Sequence, residues 1–79
     1  MAAAPVYNVS TAITKSDTVN FDRLTDAIFV GGAGIVVVVF EGGEAVNFTC
    51  VAGQILPVRA KRVNSTTTTA TLMVALYQV

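Results

Sequence analysis

The segment Gly34 to Cys50 limits what this chain can become more than any other. Six consecutive apolar residues, Ile35 to Phe40, run into Glu41-Gly42-Gly43-Glu44 and return as the alternating stretch Ala45 to Cys50. Gly-Gly between two runs rich in β-branched residues signals a hairpin with a two-residue loop, because that turn needs φ > 0 and glycine supplies it without a Cβ clash. Such a loop sets Glu41 opposite Glu44, Val39 opposite Val46, Val37 opposite Phe48 and Ile35 opposite Cys50. One face is then wholly apolar: Ile35, Val37, Val39, Val46, Phe48 and Cys50. The other carries Val36, Val38 and Phe40 beside Ala45, Asn47 and Thr49. Both faces call for a cover.

Around this hairpin the chain reads as further strands. Residues 1–26 are polar, and Val6 to Ile13 alternates weakly, as an edge strand or an arm laid on a neighbour would. Residues 1–20 are accordingly expected to form a polar arm or edge strand, and residues 21–79 a single β domain. Ser16-Asp17 and Asp22-Arg23 carry turn chemistry. Asp22, Leu24 and Ala27 support one helical turn at most. Ala27 to Val30 is a short strand closed by the turn Gly31-Gly32-Ala33-Gly34. Ile55 to Val63 is another, with Pro57 at an edge position or a bulge because proline cannot donate to a ladder. Asn64 to Thr69 is a polar loop, ordered only if something holds it. Thr69 to Val79 is the last strand, with apolar residues on both faces, including Leu72, Val74 and Leu76 on one of them. The reading is all-β, a small antiparallel sandwich or barrel of about five to seven strands.

Composition enters through what it leaves available for stability. A chain of 79 residues buries only roughly 60–65% of its unfolded surface. Small domains add disulfides, metals or partners, and one cysteine with no histidine nearly removes the first two. The chain is 53% hydrophobic and 13% charged, against about 25% charged in ordinary soluble domains. Oligomerisation is the device left, with subunit contacts expected at Val36, Val38 and Phe40 or at Leu72, Val74 and Leu76. Each Val or Leu so covered contributes about 1.5–3 kcal/mol. Zero net charge points to neither nucleic acid nor an acidic membrane surface. The longest apolar window, Ala27 to Phe40, holds fourteen residues and three glycines, short of the about 20 that a spanning helix needs. The amino terminus lacks the basic and apolar regions of a signal peptide, so a protein kept in the cytosol until it assembles is expected.

No catalytic, metal or cofactor site is expected. Gly31 to Gly34 is followed by a β-branched run, whereas phosphate-binding glycines open a helix. Glu41 and Glu44 flank a hairpin tip where nothing raises a carboxyl pKa or excludes water. Cys50 sits among apolar residues without a histidine to activate it. Asn8, Asn47 and Asn64 begin N-x-S/T triplets by composition alone. Arg59, Lys61 and Arg62 form the one basic concentration: either a solvent-facing strand edge or a docking patch for an acidic partner surface. A carbohydrate-binding module stacking sugar on Tyr7, Tyr77 or Phe21 is a weaker alternative, since sugar platforms expose broad aromatic faces and the chain has no tryptophan.

Taken together, Ala27 to Val39, Val46-Asn47-Phe48-Thr49, Ile55 to Asn64 and Thr69 to Tyr77, with Ser16-Asp17-Thr18 before them, resemble the spike base proteins of tailed phages and gene transfer agents. The similarity covers roughly residues 12–77 in family order. Where family members often carry glycines in the loop before the last strand, Thr66 to Thr69 and Thr71 stand here. The resemblance implies a non-enzymatic virion component made in the host cytoplasm and placed on the capsid exterior. It implies a small β-barrel forming a pentameric base at the head vertex that carries a fibre. A trimeric decoration or cement protein bridging capsomers is the alternative. The implied partners are sister copies, the major capsid protein and a head fibre, with Arg59, Lys61 and Arg62 as candidate capsid or fibre contacts.

Overall fold

A computed structural model describes residues 7–78. They form β1 (Val9–Ala12), β2 (Ala27–Gly32), β3 (Gly34–Phe40), β4 (Ala45–Cys50), β5 (Gln54–Leu56), β6 (Ala60–Val63) and β7 (Thr71–Tyr77). The expected arm and last strand begin and end at residues 1–6 and Val79, which lie outside the described residues. The all-β reading holds: there is no helix among the described residues, and the single helical turn expected near Asp22 is a bend. Among the described residues no helix is therefore long and apolar enough to cross a membrane. The strands pair antiparallel in two sheets, one of four in the order β1-β7-β2-β5 and one of three in the order β4-β3-β6. The core lies between them. Ile28, Val30, Leu56 and Met73 from the first sheet meet Val36, Val38, Cys50, Ala60 and Val63 from the second.

The central hairpin forms one residue out of the expected register. Val38 pairs with Val46, Val36 with Phe48 and Gly34 with Cys50. The Phe40 amide donates to the Glu44 carbonyl at 2.8 Å and the Gly43 amide to the Phe40 carbonyl at 2.9 Å. The loop is thus the three residues Glu41-Gly42-Gly43, with Gly43 alone at positive φ (+100°). A tight turn followed by one left-handed glycine is the usual three-residue hairpin. A slip of one exchanges the faces. Val36 and Val38, with Phe48 and Cys50, line the chain's own core, and Ile35, Val37 and Val39 look the other way.

Two further expectations change for physical reasons. Gly31 to Gly34 makes no reversal: only Ala33 separates β2 from β3, and the strand passes from one sheet into the other. A Cβ on Gly34 (φ +152°) would lie 2.6 Å from the Ala70 nitrogen and 2.8 Å from the Thr69 carbonyl carbon, so the corner closes only around a glycine. The single strand expected over 55–63 is two, β5 and β6, in different sheets. Pro57 falls in the crossing, where no ladder donor is needed. Thr25 bridges that crossing: its hydroxyl donates to the Val58 carbonyl at 2.7 Å and accepts from the Ala60 amide at 3.0 Å.

The threonine loop is held. Thr68 and Thr69 turn their hydroxyl oxygens to the Val37 and Ile35 amides at 3.0 and 2.9 Å, and the Thr69 and Ala70 amides donate to the Ile35 carbonyl. Side chains here complete the ladder beside β3 where β6 has ended. At the loop tip the Asp17 carboxylate accepts from the Thr66 amide at 3.0 Å and hydroxyl at 2.6 Å.

Candidate assembly surfaces

Strand alternation gives the four-stranded sheet one face inside and one outside. Ile28, Val30, Met73, Ala75 and Tyr77 point inward and are buried. Outside, register partners line up Ile55, Phe29, Val74 and Ala12 in one row across all four strands. Leu76, between Ala27 and Ser10, begins the next row. None of these residues is charged. Ile55 is 49% exposed and Leu72 78%. Leu72 also holds φ at +54°, a left-handed conformation that is a genuine outlier for a bulky residue and costs about 1–2 kcal/mol. Across from it, a Cβ on Gly31 would sit 2.8 Å from the Leu72 Cβ. Gly31 therefore makes the room in which the strained leucine stands.

Of the residues expected at subunit contacts, the structure separates two groups. Leu72, Val74 and Leu76 share the outer face just described. Val36 and Val38 are fully buried, and Phe40 is half-buried with its ring 6.1 Å from that of Phe48. The observed register pairs their face with Val46, Phe48 and Cys50 and turns it into the sandwich, where Val36 and Val38 pack within the chain's own core. Phe29 and Ile55 escaped the sequence reading. Alternation against Ile28, Val30 and Leu56 is the signal that finds them.

The basic residues are largely engaged by their own chain. Arg59 lies 3.4 Å from Asp26 and 3.9 Å from Glu41. Arg62 donates to Asn64 and to Asn20, both at 3.0 Å. Val39 pairs with Arg62 and Phe40 with Ala60, which leaves Lys61 as the extra residue of a β-bulge. Lys61 thus keeps the most freedom of the three to meet a partner.

Beside β1 a groove of about 320 Å³ opens between that strand and residues 19–23, lined by Val9, Ile13, Val19, Phe21 and Tyr77 among others. Tyr77 is buried and the Arg23 guanidinium sits 5.3 Å over its ring, so it presents no open aromatic platform. Burial pushes the Tyr77 phenol and the Cys50 thiol up in pKa, which keeps both protonated and the thiol a poor nucleophile. The Thr66 hydroxyl and then its amide hold the Asp17 carboxyl below the usual carboxylate range. No group of three or more metal-ligating side chains occurs among the described residues.

The described residues form a small two-sheet β-sandwich with an uncharged row along the outer face of its four-stranded sheet. Among solved structures, a chain in the capsid of a native gene transfer agent particle, computed with C5 symmetry, matches with a TM-score of 0.84 and 39% sequence identity. The match covers 90% of this chain and 83% of that one. The chain belongs to the family of that gene-transfer-agent capsid component. No protein-family model matches it, and no curated protein does.

Proposed function

We propose that the protein is a structural virion component that forms a homo-oligomeric base on the head of a phage-like particle, at the vertex, and anchors a spike or fibre there. The outer face of the four-stranded sheet carries this reading: an uncharged row through Ile55, Phe29 and Val74, with a strained, exposed Leu72 beside it, is surface that a lone chain would not keep. A pentamer is proposed ahead of a trimer, in keeping with the likeness to a chain in a capsid computed with C5 symmetry. In this assignment Leu72, Val74 and Leu76 meet a sister copy. Arg59 and Lys61, with Arg62 behind them, face the major capsid protein or the fibre on the capsid exterior. The chain acts by binding, not by catalysis, and is made in the host cytoplasm. Native mass spectrometry of the full chain tests the proposal, together with copy counting in reconstructed particles. Multiples of five at the vertices are expected. A monomer at high concentration overturns the oligomer, and three-fold occupancy between capsomers overturns the vertex base in favour of a cement protein.

A further inference from the structure

Two sheets with seven strands have four edges, and this chain protects only two of them. The β6 edge is covered by residues 16–25, whose Ser16, Phe21 and Thr25 amides donate to the Val63, Lys61 and Ala60 carbonyls at 2.9, 2.7 and 3.1 Å. It is also charged. The β5 edge is three residues long and runs into Pro57. Short edges, charges and prolines are the devices that stop strands from pairing with other chains. β4 has none of them, and β1, although only four residues long, carries neither charge nor proline. β4 reads Ala-Val-Asn-Phe-Thr-Cys and β1 reads Val-Ser-Thr-Ala, without charge, proline or bulge. Among the described residues no strand lies beyond either one. Since Phe40 and Glu44 form a bonded pair, alternation bonds Val46 and Phe48 to β3 and turns the backbone groups of Ala45, Asn47 and Thr49 outward.

The side chains at these edges are complementary. The core-side residues of β4 are incompletely covered: Val46 is 41% exposed and Phe48 half-buried. The groove beside β1 has Val9, Ile13, Val19 and Phe21 among its walls, with Asn20, Asp22 and Arg23 beside them. We infer that the β4 edge of one copy pairs with the β1 edge of the next, joining the three-stranded sheet of one subunit to the four-stranded sheet of its neighbour and seating Val46 and Phe48 over the groove. Because the two edges differ, the contact is head-to-tail. Such a contact closes into a ring or runs on as a filament, whereas a self-complementary patch gives a two-fold dimer. The inference rests on the ring proposed above and extends the Leu72, Val74 and Leu76 face, since β7 is the strand next to β1.

The full-length chain tests it. Asn47→Pro removes an outward donor and leaves the β3 ladder intact; it should weaken assembly at least tenfold in native mass spectrometry while the circular dichroism stays that of the parent. Asn47→Cys combined with Ser10→Cys should, on mild oxidation, give a covalent ladder ending at the copy number of the ring, with neither single variant doing so. Should Asn47→Pro fail to fold, the ladder decides. Covalent dimers from Asn47→Cys alone overturn the inference in favour of two-fold pairing, and an intact ring without a ladder overturns it while leaving the ring standing. A parent chain that stays monomeric removes the ring and the edge pairing together.

Discussion

At the scale of single residues, polar side chains stand in for backbone where the ladders break. Thr25 is fully buried and serves as both donor and acceptor where β5 and β6 part company. Thr25→Val keeps the shape and strands the Ala60 amide. A buried donor left unsatisfied costs about 1–3 kcal/mol, so the unfolding free energy from a urea titration should fall by that amount, with a lower midpoint and an unchanged slope. Asp17 does similar work at the tip of the threonine loop. Its carboxyl titrates lower in the folded chain than in the unfolded one, because of the Thr66 hydroxyl and amide. The contribution is therefore present above the unfolded value and is lost as pH falls through the folded one. Asp17→Asn and the parent should differ in stability at neutral pH and converge in strong acid; the Thr66 amide resonance should follow the same titration. These roles were not legible in the sequence. A threonine that caps a strand 31 to 35 residues away looks like any loop threonine, and only the fold brings Asp17 to Thr66.

Among elements, the hairpin is the instructive case. Its existence was plain from two β-branched runs around Gly-Gly. Its register was not, because two-residue and three-residue loops both place a glycine where φ must be positive. The structure assigns that demand to Gly43 alone. Gly43→Ala should cost about 1 kcal/mol or more in thermal or urea unfolding. At Gly42 the added Cβ meets the end of the flexible Glu44 side chain, so Gly42→Ala should change little. Equal losses at both positions would restore the two-residue turn and the original faces. The break at Pro57 was half legible: the sequence showed that proline disturbs a ladder, but not that the disturbance is a crossing between sheets. The strand faces of β7 were read correctly, since alternation of Met73, Ala75 and Tyr77 against Leu72, Val74 and Leu76 needs no register to be seen.

For the whole molecule, the two candidate contact groups now predict opposite outcomes. Val38 and Val74 are both strand valines, three residues or fewer from other apolar side chains, and sequence alone gives no reason to treat them differently. Position in the sandwich does. Val38 lies fully inside the core between the sheets, where a carboxylate has neither water nor a partner. Val38→Glu should cost more than about 4 kcal/mol, most of the roughly 5 kcal/mol available to a domain of this size. Loss of near-ultraviolet circular dichroism and of a cooperative melt is the expected result. Val74 stands half-exposed on the outer sheet face between Phe29 and Ala12. Val74→Glu should leave the melt within about 1 kcal/mol of the parent, as surface substitutions usually do, and should dissociate the oligomer in light scattering, because a charge would now be desolvated at each subunit contact. A folded Val74→Glu chain that assembles like the parent would free this face from any contact with a sister copy. The open apolar surface would then have to be covered by another component of the particle.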